Sequence, residues 1–262
     1  MGKKVNKGKA KLIPSLEISS FGSHTTFMRF LYSILVALML LPPSKVHANE
    51  NREQVVILHG IARSSTHMKS LAKYLEKQGY QVFNLDYPST DHPLEQLIDH
   101  VHDQINEKTD TARPLHMVGY SMGGIVIRAL LNKHRPENLG RVVQLASPNK
   151  GSEVADFVKT NWLYEKIYGP AGQQLTTDQT GLGNLLGKVD YELGVVAGNA
   201  SIDPVSSAII PGDDDGKVSV ESTRVSGMKD HVIVSATHTF FPGNKTVQRQ
   251  ALAFLRNGRF QR

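Results

Sequence analysis

The ten residues LHMVGYSMGG, at positions 115–124, decide how this chain folds. An apolar run ends at Tyr120, a glycine-rich turn surrounds Ser121, and the apolar run IVIRALL follows at once. Gly119 and Gly123 stand two residues before and two residues after the serine, where a side chain would collide with the backbone of a sharp turn. The segment therefore predicts a buried strand, a tight turn that lifts Ser121 above a sheet, and a helix.

The same alternation of apolar runs and helical patterns extends to both sides of this turn. Strands are predicted at 54–58, 80–86, 115–120, 141–147, 192–198 and 231–236, and a last helix at about 246–255. Met68, Leu71, Ala72 and Leu75 show the helical spacing of apolar residues between two of these strands. Strands that alternate with helices form parallel sheets. We therefore predict an α/β fold with a mostly parallel, doubly wound sheet of about six strands, flanking helices and a small cap.

The cap is predicted at about 149–190, where the alternation weakens. Glycine, glutamine and threonine mix there with Trp162, Leu163, Tyr164 and Tyr168. These four are candidates for the lining of an acyl pocket, although the core of a cap is the commoner role for such residues. The cap would belong to a single domain that covers residues 49–262.

The N-terminal 48 residues have the layout of a signal peptide. The uncharged run FLYSILVALMLL (30–41) follows Arg29 and precedes a small-residue pattern that ends at Ala48, the predicted cleavage point. As a helix, twelve residues reach only about 18 Å, less than the ~30 Å core of a bilayer, so no stable membrane anchor is expected. Translation from Met28 would give a signal of ordinary length. The leader predicts a secreted or periplasmic protein.

The formal charge of +6 does not indicate a nucleic-acid partner. Residues 1–48 hold seven Lys or Arg and one acid, which leaves 23 basic and 23 acidic residues in the rest of the chain. No basic stripe remains for a nucleic acid to bind. The absence of cysteine excludes disulfides and a cysteine nucleophile.

Ser121 is the candidate nucleophile, and it needs a base and an acid to activate its hydroxyl. In folds with this turn the chain order is serine, acid, histidine. His238 is preferred as the base because it lies just beyond a strand's C-terminal end, where open α/β sheets place functional loops. His231, which opens the strand, is the second choice, and His134 is interpreted as a solvated helix end.

The acid is expected in the loop IPGDDDGKV, residues 210–218. Asp215 is preferred because Gly216 beside it can adopt the backbone geometry that turns a carboxylate inward. Asp214 is the alternative. Three consecutive acidic residues would also fit a solvated loop without a catalytic role, or a calcium site. The loop, however, lacks a full set of oxygen ligands at the spacing that calcium sites show. We therefore expect no metal and no cofactor.

Two backbone N–H groups are expected to form an oxyanion hole. They belong to Met122, directly after the nucleophile, and to Ile61, in the loop after the first strand. Gly60 permits the close turn that this loop needs. His59 precedes the serine, against the expected order, and is therefore predicted to order the loop rather than to act as the base.

With HGI at 59–61, YSMGG at 120–124, DGKV at 215–218 and His238, the chain resembles the bacterial lipase and esterase branch of the α/β-hydrolase superfamily. The resemblance covers about 54–255 and implies hydrolysis of a carboxylic ester, small or lipid-like, through an acyl-enzyme on Ser121 without a cofactor. An acyltransferase or a thioesterase would use the same three residues. A non-catalytic binding protein on the same scaffold is the alternative from another class. The sequence does not indicate the oligomeric state.

Overall fold

Six parallel strands form the centre of the computed structural model, which describes residues 52–158 and 162–262, apart from the side chains of 158, 162–165 and 179–181. The strands are β1 Gln54–Leu58, β2 Gln81–Leu85, β3 Leu115–Tyr120, β4 Leu139–Leu145, β5 Leu193–Gly198 and β6 Asp230–Val234. Their order across the sheet is β2-β1-β3-β4-β5-β6, and every neighbouring pair is parallel. The predicted six-stranded parallel sheet is confirmed. The predicted signal peptide, its cleavage after Ala48 and the start at Met28 lie outside the described residues.

Helices connect the strands. They are α1 Ser65–Lys77, α2 Leu94–Lys108, α3 Met122–Lys133, α4 Glu153–Val158, α5 Trp162–Gln174, α6 Gln179–Leu186, α7 Pro204–Ile209 and α8 Lys245–Asn257, with a 3₁₀ helix at His238–Gly243. In the described parts of the chain, none of the helices combines the length and the apolar character that crossing a bilayer requires.

Helices cover both faces of the sheet, as the apolar strands require. Neighbouring residues of a strand point to opposite faces. Val56 and Leu58 belong to the hydrophobic cluster that includes α2 and α3, whereas Val55 and Ile57 belong to the cluster that includes α1 and α8. This arrangement buries β1 completely on both faces.

The segment predicted to be a cap lies between the adjacent strands β4 and β5 and contains α4, α5 and α6. Gly169 has a non-helical backbone (φ 61°) and precedes Pro170, so α5 consists of two short helices joined by a kink. Helix α4 packs against α7, and α6 packs against α3.

Several predicted boundaries differ from the structure by one to three residues, and the backbone explains two of the differences. Helix α3 begins at Met122 instead of about Ile125, because the sharp turn at Ser121 leads directly into helical backbone. Strand β4 covers 139–145 instead of 141–147, since Ala146 adopts a positive φ of 51° that ends the extended backbone.

Candidate active site

The carboxyl ends of the parallel strands gather the candidate residues at one edge of the sheet. Ile61 follows β1, Ser121 follows β3, Asp215 lies between β5 and β6, and His238 follows β6. In the sheet, β1 is next to β3, β5 is two strands away from β3, and β6 is three strands away. The segments that follow these strands all reach the serine at the end of β3.

Ser121 occupies a turn that only glycine neighbours permit. Its backbone has φ 52° and ψ −123°, a conformation that non-glycine residues rarely adopt. A Cβ at Gly119 would lie 2.4 Å from the backbone nitrogen of Gly124, and one at Gly123 would lie 2.5 Å from the carbonyl oxygens of Leu58 and His59. The two glycines are therefore required by contacts within the turn and with β1, as the sequence pattern indicates.

His238 lies between Ser121 and Asp215. Its Nε2 is 3.1 Å from Ser121 Oγ, and its Nδ1 is 2.7 Å from Asp215 Oδ2. The Asp215 side chain is 1% exposed and the His238 side chain 13%. The ionised carboxylate is an acceptor, so Nδ1 carries the proton and Nε2 is left to accept the hydrogen of the serine hydroxyl.

Backbone and phenol groups fix the histidine and the acid. Asp215 Oδ1 accepts the N–H groups of Lys217 (3.0 Å) and Val218 (2.8 Å). The N–H of His238 donates to the Asp215 carbonyl oxygen at 2.8 Å, and the Tyr120 hydroxyl donates to the His238 carbonyl oxygen at 2.8 Å. Burial raises the pKa of Tyr120, which keeps this donor protonated.

The alternative acid and bases have other partners. Asp214 Oδ1 accepts from the Gly216 N–H (2.6 Å) and the Ser207 hydroxyl (2.7 Å). His231 Nε2 lies 3.0 Å from Thr223 Oγ1, and His134 Nε2 lies 3.0 Å from Asp99 Oδ1. The structure thus brings together Ser121, Asp215 and His238, and none of these three alternatives.

The loop after β1 lies against the nucleophile. A Cβ at Gly60 would be 3.2 Å from Ser121 Cβ and 3.0 Å from the Tyr120 ring, so a larger residue before Ile61 would crowd both side chains. Met122 is the first residue of α3, and the first amides of a helix have no partner within the helix. Both predicted oxyanion donors therefore belong to segments that border Ser121.

His59 is a buried support of this loop. Its Nδ1 lies 2.8 Å from the Gly60 carbonyl oxygen, and its ring stacks on Tyr87 with centroids 4.3 Å apart. The Tyr87 hydroxyl donates to the His59 carbonyl oxygen at 2.6 Å. Burial lowers the pKa of His59, which keeps the ring neutral. The sequence indicated an ordering role for His59 but missed Tyr87, since no pattern links it to a loop 28 residues earlier.

A cavity of about 330 Å³ opens at Ser121. Its wall is mostly apolar and includes Val154, Phe157, Tyr168, Leu175, Val205 and Ile209. Tyr168 is the one of the four predicted lining residues whose side chain is described. Arg63 and Lys217 also border the cavity, and sequence reasoning singled out neither of them for binding. An apolar pocket with a few polar groups beside the candidate nucleophile could hold an acyl chain.

Comparisons with known proteins agree with this geometry. The structure resembles the mature form of the Bacillus licheniformis lipase BlEst2 with a TM-score of 0.61 and 21% identity, covering 81% of this chain and 94% of the lipase chain. It also resembles the phospholipase PlaB of Legionella pneumophila with a TM-score of 0.59 and 18% identity, covering 77% of this chain and 57% of the phospholipase chain. The chain therefore has the α/β-hydrolase fold.

The sequence is also similar to thioesterases. The family model of palmitoyl protein thioesterase matches residues 54–181. The lysosomal thioesterase PPT2 homolog of Drosophila melanogaster is 31% identical over an alignment of 163 residues. This match covers 56% of this chain and 54% of that protein. The rat lysosomal thioesterase PPT2 is 28% identical over an alignment of 155 residues. This match covers 53% of this chain and 50% of the rat protein. The matched segments span about half the length of these relatives.

Proposed function

We propose that this protein is a serine hydrolase that removes acyl groups from lipid-like thioesters or esters, with thioesters preferred. The observation that carries the proposal is the hydrogen-bonded series Ser121, His238 and Asp215 at the end of a mostly apolar cavity. The similarity to thioesterases over the segment that contains Ser121 supports a sulfur leaving group. Hydrolysis of carboxylic esters is the second candidate, because the fold is shared with lipases.

In the first half of the reaction, His238 Nε2 accepts the proton of Ser121 as Oγ attacks the acyl carbonyl carbon. Asp215, which accepts from Nδ1, stabilises the imidazolium. The tetrahedral oxyanion is bound by the N–H groups of Ile61 and Met122, and the helix dipole of α3 favours negative charge there. Collapse of this intermediate breaks the bond to the leaving group, which takes the proton from His238 Nε2, and yields the acyl-enzyme with a neutral imidazole.

In the second half, His238 Nε2 removes a proton from water, whose oxygen attacks the acyl-enzyme. The acid product leaves, and Ser121 regains its hydrogen from the imidazolium. An acyltransferase would use an alcohol or a thiol in place of water. The apolar wall that α4, α5 and α7 supply is where we place the acyl chain, and we assign the segment 149–190 the role of a cap over it.

We also propose export from the cytoplasm, on the strength of the leader-like N-terminus. The naming of the PPT2 relatives as lysosomal is compatible with this proposal. Detection of residues 1–48 in the mature protein by mass spectrometry would contradict cleavage.

The catalytic proposal is tested by labelling with a fluorophosphonate and by hydrolysis of butyryl thioesters and p-nitrophenyl butyrate. We expect Ser121→Ala to abolish labelling and to lower turnover by about 10³-fold or more, because the nucleophile is lost. Ser70→Ala is the matched control, since Ser70 is exposed on α1. Labelling of wild-type protein at a residue other than Ser121, or no labelling at all, would contradict the proposal.

A further inference from the structure

We infer that Arg63 binds a negatively charged group on the leaving group of the substrate, so that the preferred substrates are acyl thioesters or esters with a phosphate beyond the scissile bond. The inference rests on the proposed function and names the substrate class for the same site.

Arg63 is a cation at the cavity with unused hydrogen-bonding capacity. It is exposed, and its Nη1 donates to the Ala62 carbonyl oxygen at 3.2 Å. Within residues 52–158 and 162–262 no carboxylate forms an ion pair with it within 4.0 Å. A guanidinium carries five N–H donors in a planar fork that matches phosphate. Lys217, the other cation of the wall, is already engaged by Asp203 (2.7 Å) and Ser206 (3.1 Å).

The loop that carries Arg63 is fixed. Ala62 has a left-handed backbone (φ 51°), which costs energy for a residue with a Cβ, and its N–H donates to Ser89 Oγ at 3.1 Å. The carboxylate of Asp86 accepts both the N–H and the hydroxyl of Ser65, each at 2.6 Å. Asp86 therefore helps to hold the start of α1 and leaves the charge of Arg63 available.

We place Arg63 on the leaving-group side of the cavity and not on the acyl side. Arg63 borders the cavity together with Tyr120, Ser121, His238 and Thr239, whereas α4 and α7 contribute apolar residues to the wall. Burial, followed by the charges of Arg63 and His238, lowers the pKa of His67. The Tyr120 ring lies 5.2 Å from the His67 ring and 5.1 Å from the His238 ring, so these three rings lie side by side, and Arg63 borders the same cavity as Tyr120 and His238. His238 gives its proton to the departing atom, so the leaving group lies on the His238 side.

A phosphate beyond the departing atom would thus meet a guanidinium that pairs with no carboxylate of the described residues, on a loop held by hydrogen bonds. Two kinds of molecule offer this chemistry, a thiol carrier with phosphates such as coenzyme A and the phosphate headgroup of a lipid. The charge-assisted hydrogen bond between a guanidinium and a phosphate is stronger than a neutral one, and its gain would appear in kcat/KM.

The test compares butyryl-coenzyme A with butyryl-N-acetylcysteamine, which has the same thioester and the same nearby amide but no phosphate. We expect Arg63→Gln to lower kcat/KM for the coenzyme A ester about tenfold and to change it for the neutral ester less than about twofold. Arg63→Lys should retain part of the preference. Arg249→Gln, which removes an exposed arginine of α8, should leave both values unchanged.

The two sources of phosphate are separated by 1-butyryl-glycerol-3-phosphate and 1-butyryl-glycerol, a second pair that differs only in charge. An effect of Arg63→Gln in the thioester pair alone indicates the carrier thiol, and an effect in the glycerol pair alone indicates the lipid headgroup. Equal losses for charged and neutral members of both pairs, or no loss in either, would overturn the inference.

A binding measurement keeps this test separate from the catalytic proposal. Calorimetric titration of Ser121→Ala protein with butyryl-coenzyme A needs no turnover, and we expect Arg63→Gln in that background to raise Kd about tenfold. An unchanged Kd would refute the role of Arg63 even in an active enzyme. Conversely, absence of turnover in wild-type protein would contradict the proposed hydrolase while the Kd comparison still tests Arg63.

Discussion

Asp214 and Asp215 are adjacent and both buried, yet their carboxylates meet different partners. Asp215 accepts from His238, Lys217 and Val218, whereas Asp214 accepts from Gly216 and Ser207. Gly216 adopts a positive φ of 94°, which side chains disfavour. This one glycine lets the chain reverse, so that the first carboxylate holds the loop and the second reaches the histidine.

We therefore expect Asp215→Asn to lower kcat/KM for a butyryl thioester by about 10³- to 10⁴-fold. An amide nitrogen facing Nδ1 would force the proton to Nε2, the tautomer that cannot accept from Ser121. Asp214→Asn should change kcat/KM less than about tenfold. A larger loss in Asp214→Asn than in Asp215→Asn would reassign the acid.

At the nucleophile turn, we expect Gly119→Ala to lower the free energy of unfolding by at least about 2 kcal/mol, because its methyl group would lie 2.4 Å from the Gly124 nitrogen. Urea denaturation measures this loss. Gly183→Ala is the control: Gly183 lies in α6 with nothing within 4 Å of an added Cβ. Alanine there should stabilise the helix by up to about 1 kcal/mol. An equal change in the free energy of unfolding for Gly119→Ala and Gly183→Ala would show that the close contact at Gly119 does not cause the loss of stability.

The residues of this turn could be predicted because their requirements are local. Gly119 meets Gly124 within the turn, Gly119, Ser121 and Gly123 stand in one five-residue pattern, and Gly216 stands next to the acid that it orients. Arg63 and Tyr87 could not be assigned in this way. Their roles depend on partners that only the folded chain brings near, such as the loop after β1 for Tyr87.

On the scale of helices and strands, a buried arginine connects α3 to the segment between β4 and β5. Arg128 is 5% exposed, and its guanidinium donates to Asn149 Oδ1 (2.8 Å) and to the Gly187 carbonyl oxygen (3.2 Å). Asn149 in turn donates to Gln144 Oε1 and to the Thr223 carbonyl oxygen, each at 2.7 Å. Burial lowers the pKa of Arg128, and the neighbouring Tyr191 opposes this shift.

We expect Arg128→Ala to destabilise the protein by about 2–4 kcal/mol, through a cavity and through acceptors left without a donor. The loss should be local. Amide hydrogen exchange should quicken first in α6 and around Asn149, while β1 and β3 keep their protection. Uniform acceleration across the sheet would argue against this arginine as an attachment between elements.

The same contacts explain which elements the sequence could predict. The strands 54–58 and 115–120 agree with the structure to the residue, because continuous apolar runs are typical of strands buried on both faces. Helices α4, α5 and α6 were not predicted individually. Gly169 and Pro170 interrupt α5, and α6 is held from outside by Asn132, which donates to the carbonyl oxygens of Asn184 and Leu185.

For the whole molecule, buried histidines make stability depend on pH. Burial, followed by the positive charge of Arg224, lowers the pKa of His231 to about 4 from its ordinary value of 6.5. Burial also lowers the pKa values of His59 and His116. Between about pH 4 and 6.5 the unfolded chain therefore binds more protons than the folded chain, so the folded state loses stability as the pH falls.

We expect the free energy of unfolding, measured in urea, to decrease steadily from pH 7 to pH 4.5. His231→Gln can keep a hydrogen bond to Thr223 but cannot titrate. It should therefore reduce the slope of the unfolding free energy against pH by up to the contribution of about one bound proton. His100→Gln, at an exposed position of α2, should leave the slope unchanged. An unaltered slope in His231→Gln would assign the pH dependence to other groups.

The order of the strands also has a consequence during synthesis. Ser121 and its turn are translated 117 residues before His238, which belongs to the segment after the last strand. An emerging chain that lacks this segment has the hydroxyl but no imidazole to activate it. Under the proposed mechanism, synthesis that stops before His238 therefore leaves a product whose Ser121 has no base and is inert.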